Sequence, residues 1–358
     1  MKATIAVIGG DGIGPEIVAA AQQVMEAVAE KQELELTFTP CLAGGAALAA
    51  CGLPLPQETV DVCRAADAVL LGAVGDPAWD NVEPARRPEK AILGLRQALG
   101  LYVNLRPIKV FQALVGRSPL KESVVSGTDL LIVRELNGGI YYGERQEGDP
   151  NDENAAAYDV ERYSAAEIKR IAEFAFQAAQ GRRGKLTSID KANVLATSRL
   201  WRGIVSNMAE QYPAVKVEHL YVDNGSMQLV LQPSRFDVMV TSNLFGDILS
   251  DEAAVTTGSI GLLPSASLGE GTGLYEPIHG SAPDIAGQGK ANPIGTILSA
   301  AMLFRYSLKQ EAAAQLIEAA VERVLAEGYR TADIAEAGDS PVTTEKMGDL
   351  VAAAIKEA

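Results

Sequence analysis

The sequence has few of the residues that build disulfide frameworks or thiolate and imidazole metal centres. Its 358 residues include three cysteines, two histidines and two tryptophans. Cys41, Cys51 and Cys63 lie ten and twelve residues apart, a spacing that fits no zinc pattern, and their odd number does not indicate a disulfide framework. We therefore expect reduced thiols and a cytoplasmic location.

Basic residues and long apolar runs are also scarce. With 31 Lys and Arg against 46 Asp and Glu, the net charge is −15, so no nucleic-acid partner is expected. No apolar run approaches the roughly 18 residues of a membrane-spanning helix, so no membrane partner is expected. A strand-like run, Thr4 to Ile8, opens the chain, and we expect no signal or transit peptide.

Short β-rich apolar runs alternate with helical patterns along most of the chain. The predicted strands are TIAVIG, LELTFT, AVLLGAV, DLLIVREL, KLTSID, VKVEHLYV and FDVMVT. The segment GDGIGPEIVAAAQQVMEAVAE predicts a turn and a first helix, and the later predicted helices are 89–99, 164–180, 196–211, 244–255, 294–308 and 310–327. This alternation predicts an α/β fold with a largely parallel sheet. The polar, glycine-containing segment 137–163 has no helical period, which indicates either a β-arm for dimer contact or a mobile loop.

A glycine-rich turn, GGDGIG at residues 9–14, follows the first strand and opens a helix. A Rossmann fingerprint that starts at Gly10 needs glycine at position 15, where the chain has Pro15. The pattern therefore argues against the usual Rossmann dinucleotide site. It still allows a glycine turn that lies beside a ligand.

The segment NLFGDILSD places Asp247 and Asp251 one helical turn apart, on one helix face. Two facing carboxylates without nearby His or Cys favour a hard divalent cation, Mg²⁺ or Mn²⁺. A solvated acidic helix face is the alternative. Gly246 before the first aspartate and the glycine-rich run after the helix favour the metal site.

Three arginines are candidates for gripping a substrate with two carboxylates. Arg96 and Arg106 lie in LGLRQALGLYVNLRPIKV, and Arg134 ends an apolar strand before a glycine turn. Guanidinium groups bind carboxylates through two parallel hydrogen bonds, although a single arginine is more often part of a surface ion pair.

Seven motifs resemble the β-decarboxylating dehydrogenases, the family that acts on isocitrate, homoisocitrate, isopropylmalate, tartrate and D-malate. They are LRPIKVF, RELNGGIYYGE, SIDKANVL, YVDNGSMQLV, NLFGDILSDEA, LLPSASLG and GLYEPIHGSAPDIAGQGKANPIGTILSAAM, and they occur in the family order. The resemblance runs from residue 3 to about residue 350 and favours the isopropylmalate branch.

The resemblance implies a two-domain isopropylmalate/isocitrate dehydrogenase-like fold without the usual Rossmann motif. Residues 1–101 and 258–358 would form the cofactor-binding domain, and residues 102–257 the second domain with the arm. The implied assembly is a homodimer whose active sites are shared across the interface. The implied reaction is NAD-dependent oxidation and decarboxylation of (2R,3S)-3-isopropylmalate to 2-oxoisocaproate and CO₂, a step of leucine biosynthesis.

The resemblance also implies roles for individual residues. Arg96, Arg106 and Arg134 would hold the two carboxylates. Asp247 and Asp251, with Asp223 of the partner subunit, would bind Mg²⁺ or Mn²⁺, and Asp223 would also approach the substrate. Lys191 of the partner subunit would take the hydroxyl proton, and Tyr141 would protonate the enolate. A surface amine and an interface aromatic are the alternatives for these two side chains.

The implied cofactor contacts form a second set: Glu89 near the nicotinamide, then His279, Gly280, Ser281, Ala282, Asp284, Ile285 and Asn292 around the adenosine. A carboxylate at Asp284 favours NAD over NADP, because it repels a 2′-phosphate. Ile92 and Leu93, with Val194 of the partner subunit, would contact the isopropyl group. Action on D-malate, tartrate or other alkylmalates is the first alternative, and a non-catalytic regulatory subunit is the second.

Overall fold

The computed structural model describes residues 1–358, apart from the side chain of Ala85. Strands β1 to β12 are Lys2–Gly10, Glu35–Pro40, Ala68–Ala73, Leu101–Lys109, Asp129–Glu135, Arg145–Gln146, Tyr158–Asp159, Lys185–Asp190, Lys216–Tyr221, Val238–Thr241, Pro264–Gly269 and Gly273–Pro277. Helices α1 to α12 are Gly14–Lys31, Gly45–Cys51, Gln57–Ala65, Lys90–Ala98, Glu122–Val125, Ala165–Gln180, Ala196–Ala209, Val222–Leu231, Asn243–Val255, Ile294–Tyr306, Glu311–Ala326 and Thr344–Glu357. The predicted α/β class is confirmed.

The chain divides into two compact units. Unit 1 consists of Met1–Leu101, Val110–Glu122 and Ala254–Ala358, and unit 2 of Tyr102–Lys109 and Ser123–Ala253. The predicted second domain, 102–257, differs from unit 2 because residues 110–122 and 254–257 belong to unit 1. The 110–122 segment is held there by backbone contacts: Arg330 Nη2 donates to the Ala113 carbonyl at 2.9 Å, and Gly258 lies directly against the Arg117 backbone.

Unit 1 is built on strands in the order β2-β1-β3-β12-β11. The first four are parallel neighbours, and β11 pairs antiparallel with β12. Every residue of β3 is buried, as expected for a strand whose two faces are both covered. Helix α12 packs on α1, where Gly348 lies against Ala20 and Gln23 Nε2 donates to Asp349 Oδ1 at 2.7 Å.

Unit 2 has strands in the order β4-β5-β10-β8-β9. Strand β4 pairs antiparallel with β5, and the others pair in parallel. A capping box begins α6: Ser164 Oγ accepts from Glu167 N, and Glu167 Oε2 accepts from Ser164 N at 2.7 Å. The arm segment carries a short antiparallel pair, β6 and β7, which agrees with a β-arm.

The predicted strands and the helices 89–99 to 310–327 are all observed within a few residues of their expected bounds. Strands β4, β11 and β12 were not predicted, and neither were helices α2, α3, α5, α8 and the 14-residue α12. In the part of the chain that the structure describes, no helix is long and apolar enough to cross a membrane.

Candidate active site

Strand register brings Arg106 and Arg134 to one face of the unit 2 sheet. In the antiparallel β4–β5 pair, Asn104 lies opposite Arg134 and Arg106 opposite Ile132, so the two arginines are diagonal neighbours. Both side chains are buried. Two buried guanidinium groups need acceptors, because burying an unpaired charge is costly.

Helix α9 supplies those acceptors, because it presents Asp247 and Asp251 to the arginines. Arg134 Nη1 donates to Asp247 Oδ1, and Arg106 Nη2 lies 3.6 Å from the same oxygen. Arg106 Nη1 lies 3.3 Å from Asp251 Oδ1. Gly246 permits this approach, since a Cβ there would lie 2.6 Å from Arg134 Cγ.

Tyr141 joins the cluster from the turn that follows β5. Its hydroxyl donates to Asp247 Oδ2 at 2.7 Å, and its ring centroid lies 5.6 Å from Arg134 Cζ. Burial and the hydrogen bond to Asp247 raise the pKa of Tyr141, so the phenol holds its proton. The structure thus assembles five of the predicted residues in unit 2: Arg106, Arg134, Tyr141, Asp247 and Asp251.

The two aspartates have different pKa values although they share one helix face. Burial acts to raise the pKa of Asp247, but the charges of Arg134 and Arg106 and the Tyr141 hydrogen bond lower it overall. Burial and the negative charge of Asp247 raise the pKa of Asp251, with Arg106 opposing them. The ionised form of Asp251 is therefore disfavoured, and a bound cation would stabilise it.

Lys191 and Asp223 form a second cluster in unit 2. Lys191 Nζ lies 2.8 Å from Asp223 Oδ1, and this hydrogen bond lowers the pKa of Asp223. Val194, in the turn after Lys191, is exposed. Among the residues that the structure describes, no three His, Cys, Asp or Glu side chains lie close enough together to hold a metal.

Unit 1 carries the residues predicted to meet the nicotinamide and the alkyl group. Glu89 immediately precedes α4, and its carboxylate oxygen would lie 3.4 Å from a Cβ at Gly75. Ile92 and Leu93 are half-buried on the same helix. Arg96 Nη2 lies 2.9 Å from Glu276 Oε1, so its charge is paired inside unit 1.

The glycine turn after β1 lies against the predicted adenosine loop. Ile13 N donates to the Ser281 carbonyl at 2.8 Å, and a Cβ at Gly12 would lie 2.0 Å from that oxygen. His279 Nδ1 contacts the Gly280 carbonyl at 2.9 Å, whereas its buried Nε2 has no hydrogen-bond partner in the described structure. Burial lowers the pKa of His279, so a neutral imidazole is available to a ligand.

The remaining residues predicted to bind adenosine follow His279 in the chain, from Gly280 to Asn292. Gly280 leaves open space where a side chain would stand, and Ala282 has a positive φ of 38°. Asp284 is exposed, while Ile285 packs against the buried cluster of Ile13, Ile17 and Ala291. Asn292 is buried; its Oδ1 accepts from Ile294 N, and its Nδ2 donates to Asp333 Oδ2, both at 3.0 Å.

Several residues that sequence reasoning left without a role are part of these sites: Asn243, Ser250, Glu276 and Asp333. Arg106 Nη1 donates to Ser250 Oγ at 2.6 Å, and Arg134 is bound by Asn243. Asn243 and Ser250 lie inside the NLFGDILSD segment, so their position beside the aspartates was the available signal. Asp333 lies outside all seven motifs, so no sequence pattern indicated its role.

Comparison with known proteins places this fold and its arginine–aspartate cluster in a class of dehydrogenases. The family model described as isocitrate/isopropylmalate dehydrogenase matches residues 4–351. The chain belongs to this family. Membership of a dehydrogenase family is consistent with a nicotinamide cofactor and a metal ion.

Named relatives refine this class. The chain is 58% identical over 354 residues to a 3-isopropylmalate dehydrogenase of Moorella thermoacetica, covering 99% of both chains. It is 58% identical to a 3-isopropylmalate dehydrogenase of Clostridium pasteurianum, covering 97% of this chain and 98% of the relative. A crystal structure of isocitrate dehydrogenase from Methylococcus capsulatus superimposes with a TM-score of 0.87 at 37% identity, covering 99% of both chains.

Proposed function

We propose that this chain is an NAD-dependent dehydrogenase that oxidises and decarboxylates (2R,3S)-3-isopropylmalate to 2-oxoisocaproate and CO₂ in leucine biosynthesis. The observation that carries the proposal is the unit 2 cluster of Arg106, Arg134, Tyr141, Asp247 and Asp251, combined with the names of relatives that match nearly the full chain. Three free cysteines support a reducing location, and we propose the cytoplasm.

The arginines bind the substrate carboxylates. Arg106 and Arg134 lie next to each other on the sheet and are held by neighbours, so their guanidinium groups need little reordering when the diacid binds. Arg96 supplies the third guanidinium from α4. Glu276 keeps this side chain oriented in the free protein.

Asp247 and Asp251, with Asp223 of the partner subunit, hold a divalent cation. Their oxygens are the ligands that Mg²⁺ and Mn²⁺ prefer. Burial and the negative charge of Asp247 raise the pKa of Asp251, and a bound cation would act in the opposite direction. Asp223 of the partner subunit would add a third carboxylate, and substrate and water oxygens would fill the remaining coordination positions. A bound cation supplies positive charge where the substrate hydroxyl oxygen becomes negative.

Two side chains move protons. Lys191 of the partner subunit accepts the hydroxyl proton of the substrate, and it is oriented by Asp223 of its own chain. Tyr141 donates its proton to carbon after CO₂ leaves. The raised pKa of this phenol fits an acid that stays protonated until the carbanion forms.

NAD binds along the loop that begins at His279. The unpaired Nε2 of His279 offers a hydrogen bond to adenine, and the open space at Gly280 leaves room for the ligand. The exposed carboxylate of Asp284 accepts hydrogen bonds from ribose hydroxyls and repels a 2′-phosphate, which favours NAD over NADP. NAD held by these residues would supply the hydride acceptor for the oxidation.

A homodimer completes the site. Helices α8 and α9 expose large apolar side chains, with Met227 at 55%, Leu231 at 65%, Ile248 at 57% and Val255 at 57% of their full accessible area. Ser226 Oγ donates to Glu252 Oε1 at 2.9 Å and ties the two helices together. An exposed apolar surface that includes the helices of Asp223 and Asp247 fits a second copy of the chain.

Substrate choice depends on the half-buried side chains of Ile92 and Leu93 and on the exposed Val194 of the partner subunit. An apolar surface suits an isopropyl group, but it also admits smaller diacids such as D-malate and tartrate. Each methylene group changes the discrimination by only ~1–3 kcal/mol. The regulatory-subunit alternative is disfavoured because all the predicted arginine, tyrosine, lysine and aspartate side chains are present.

The test is NADH formation by the purified chain, followed at 340 nm with Mg²⁺ or Mn²⁺. We expect kcat/KM for 3-isopropylmalate to exceed that for D-malate, tartrate and isocitrate by about tenfold or more. NADP should replace NAD poorly, and EDTA should stop turnover.

Each result of this assay tests a different part of the proposal. A preference for D-malate would keep the chemistry and overturn the substrate. Full activity in EDTA would contradict the metal assignment, and no turnover with any diacid would favour a regulatory subunit.

A further inference from the structure

One buried carboxamide contacts several parts of the unit 2 cluster at once. Asn243 is the first residue of α9 and is 1% exposed. Its Oδ1 accepts from Arg134 Nε at 3.0 Å and from Arg134 Nη2 at 2.7 Å. Its Nδ2 donates to the carbonyl oxygens of Leu136 at 3.2 Å and Gly138 at 3.0 Å.

These four bonds use the full hydrogen-bonding capacity of a side-chain amide, two acceptor sites and two donors. The amide orientation is therefore fixed, because exchanging its oxygen and nitrogen would face donor to donor and acceptor to acceptor. The backbone N–H of Asn243 donates to Tyr163 Oη at 3.0 Å, which anchors the residue from a third side.

Three site residues depend on this arrangement. The Asn243 oxygen holds two nitrogens of Arg134 and leaves Nη1 pointing at Asp247. The Asn243 nitrogen holds the turn from Leu136 to Gly138, and that turn leads directly to Tyr141. Asp247 itself lies one turn further along the same helix.

We propose that Asn243 is a positioning residue of the dehydrogenase: its carboxamide locks the Arg134 guanidinium and the Tyr141 turn to the start of the helix that carries Asp247. This inference deepens the proposed function and rests on it. Asn243 acts through its neighbours and makes no contact with the substrate. Its loss should therefore damage both diacid binding and the step that uses Tyr141, while the NAD site in unit 1 remains intact.

The test compares Asn243→Ala and Asn243→Asp with a matched core variant, Phe176→Leu. Phe176 is fully buried in unit 2, and its ring stacks on Tyr212 with the ring centroids 4.6 Å apart, so its substitution should lower the stability of the unit 2 core. Asn243→Asp keeps one acceptor oxygen but replaces the amide donor by an oxygen that repels two carbonyl groups. It should therefore be at least as damaging as Asn243→Ala.

We expect kcat/KM for 3-isopropylmalate to fall about 30-fold or more in both Asn243 variants, the size expected when hydrogen bonds to a charged group are lost. Both kcat and the KM for the diacid should change, whereas the KM for NAD should stay within about twofold because no cofactor contact is altered. D-malate should lose the same factor, since both diacids use Arg134. Phe176→Leu should lower the melting temperature and leave all kinetic constants per folded molecule unchanged.

Two results would overturn the inference. The first is kcat/KM in both Asn243 variants within about threefold of the wild type. The second is a loss that Phe176→Leu reproduces. If the wild-type chain turns over no diacid, the proposed function fails, and crystal structures then decide the inference alone: Arg134 should leave Asp247 in Asn243→Ala, and an unmoved Arg134 would refute it.

Discussion

Gly246 gives the sharpest test of how α9 is held against the arginines, because a single methyl group can be placed between them. A Cβ at this position would lie 2.6 Å from Arg134 Cγ and 2.7 Å from Arg134 Cβ. Carbon atoms pack at about 3.6 Å, so in Gly246→Ala the helix or the arginine must move by about 1 Å. Arg134 is buried and hydrogen-bonded, and this restricts how it can adjust.

Two opposing terms set the stability of Gly246→Ala. Overpacking costs about 1–3 kcal/mol, and replacing a helical glycine by alanine returns about 1 kcal/mol, so the net loss should be ~0–2 kcal/mol. Activity should respond more strongly, because a misplacement of about 1 Å in a catalytic group can cost about 100-fold in rate. Urea unfolding and steady-state kinetics with 3-isopropylmalate measure the two effects separately.

Gly203→Ala is the matched control, since it is the same substitution in another helix of unit 2. Nothing lies within 4 Å of a Cβ built at Gly203. It should gain up to about 1 kcal/mol of stability and keep wild-type kinetics. If Gly246→Ala behaves like Gly203→Ala in both assays, the close packing of α9 on Arg134 does not control activity, and the reasoning is refuted.

Two further predictions concern the dimer and the pH dependence of folding. Mixing Lys191→Met chains with Asp247→Asn chains should restore about a quarter of wild-type activity, because half of the reassorted dimers contain one intact site; no recovery after confirmed subunit exchange would place both residues in one chain's site. Burial and the charge of Arg202 lower the pKa of His219, so the unfolded chain binds this proton more readily than the folded one. Folding stability should therefore be complete above about pH 6.5 and fall as the pH drops through the folded pKa, by at most about 1.4 kcal/mol per pH unit for this residue. His219→Gln should flatten part of that slope in urea unfolding from pH 5 to 8, and an unchanged slope would contradict the assignment.

Three strands that sequence reasoning missed have a local composition that opposes their structure. Strand β4 contains Pro107, and a proline argues against a strand, yet it pairs with β5 opposite Leu131. Strands β11 and β12 lie in a glycine-rich run without alternation. Their pairing with each other and packing against α10 are tertiary effects that no local pattern reports.

In the site, too, features set by nearby residues were predicted, whereas contacts between residues far apart in the chain were not. The spacing of Asp247 and Asp251 is local, so the sequence predicted their shared helix face. Arg96 was grouped with the other two arginines by residue type, but its partner Glu276 is 180 residues away and cannot be identified from spacing. The pairing of Asn292 with Asp333 was hidden for the same reason.

The division of unit 1 between the two ends of the chain constrains the order of folding during synthesis. Nearly all of unit 2 is one continuous stretch, Ser123–Ala253, so it leaves the ribosome as a complete set of strands and helices. Unit 1 has only its first part at that stage, and α1 lacks the helix that covers it. Helix α12, Thr344–Glu357, packs on α1, so this face of α1 stays uncovered until that segment has been synthesised.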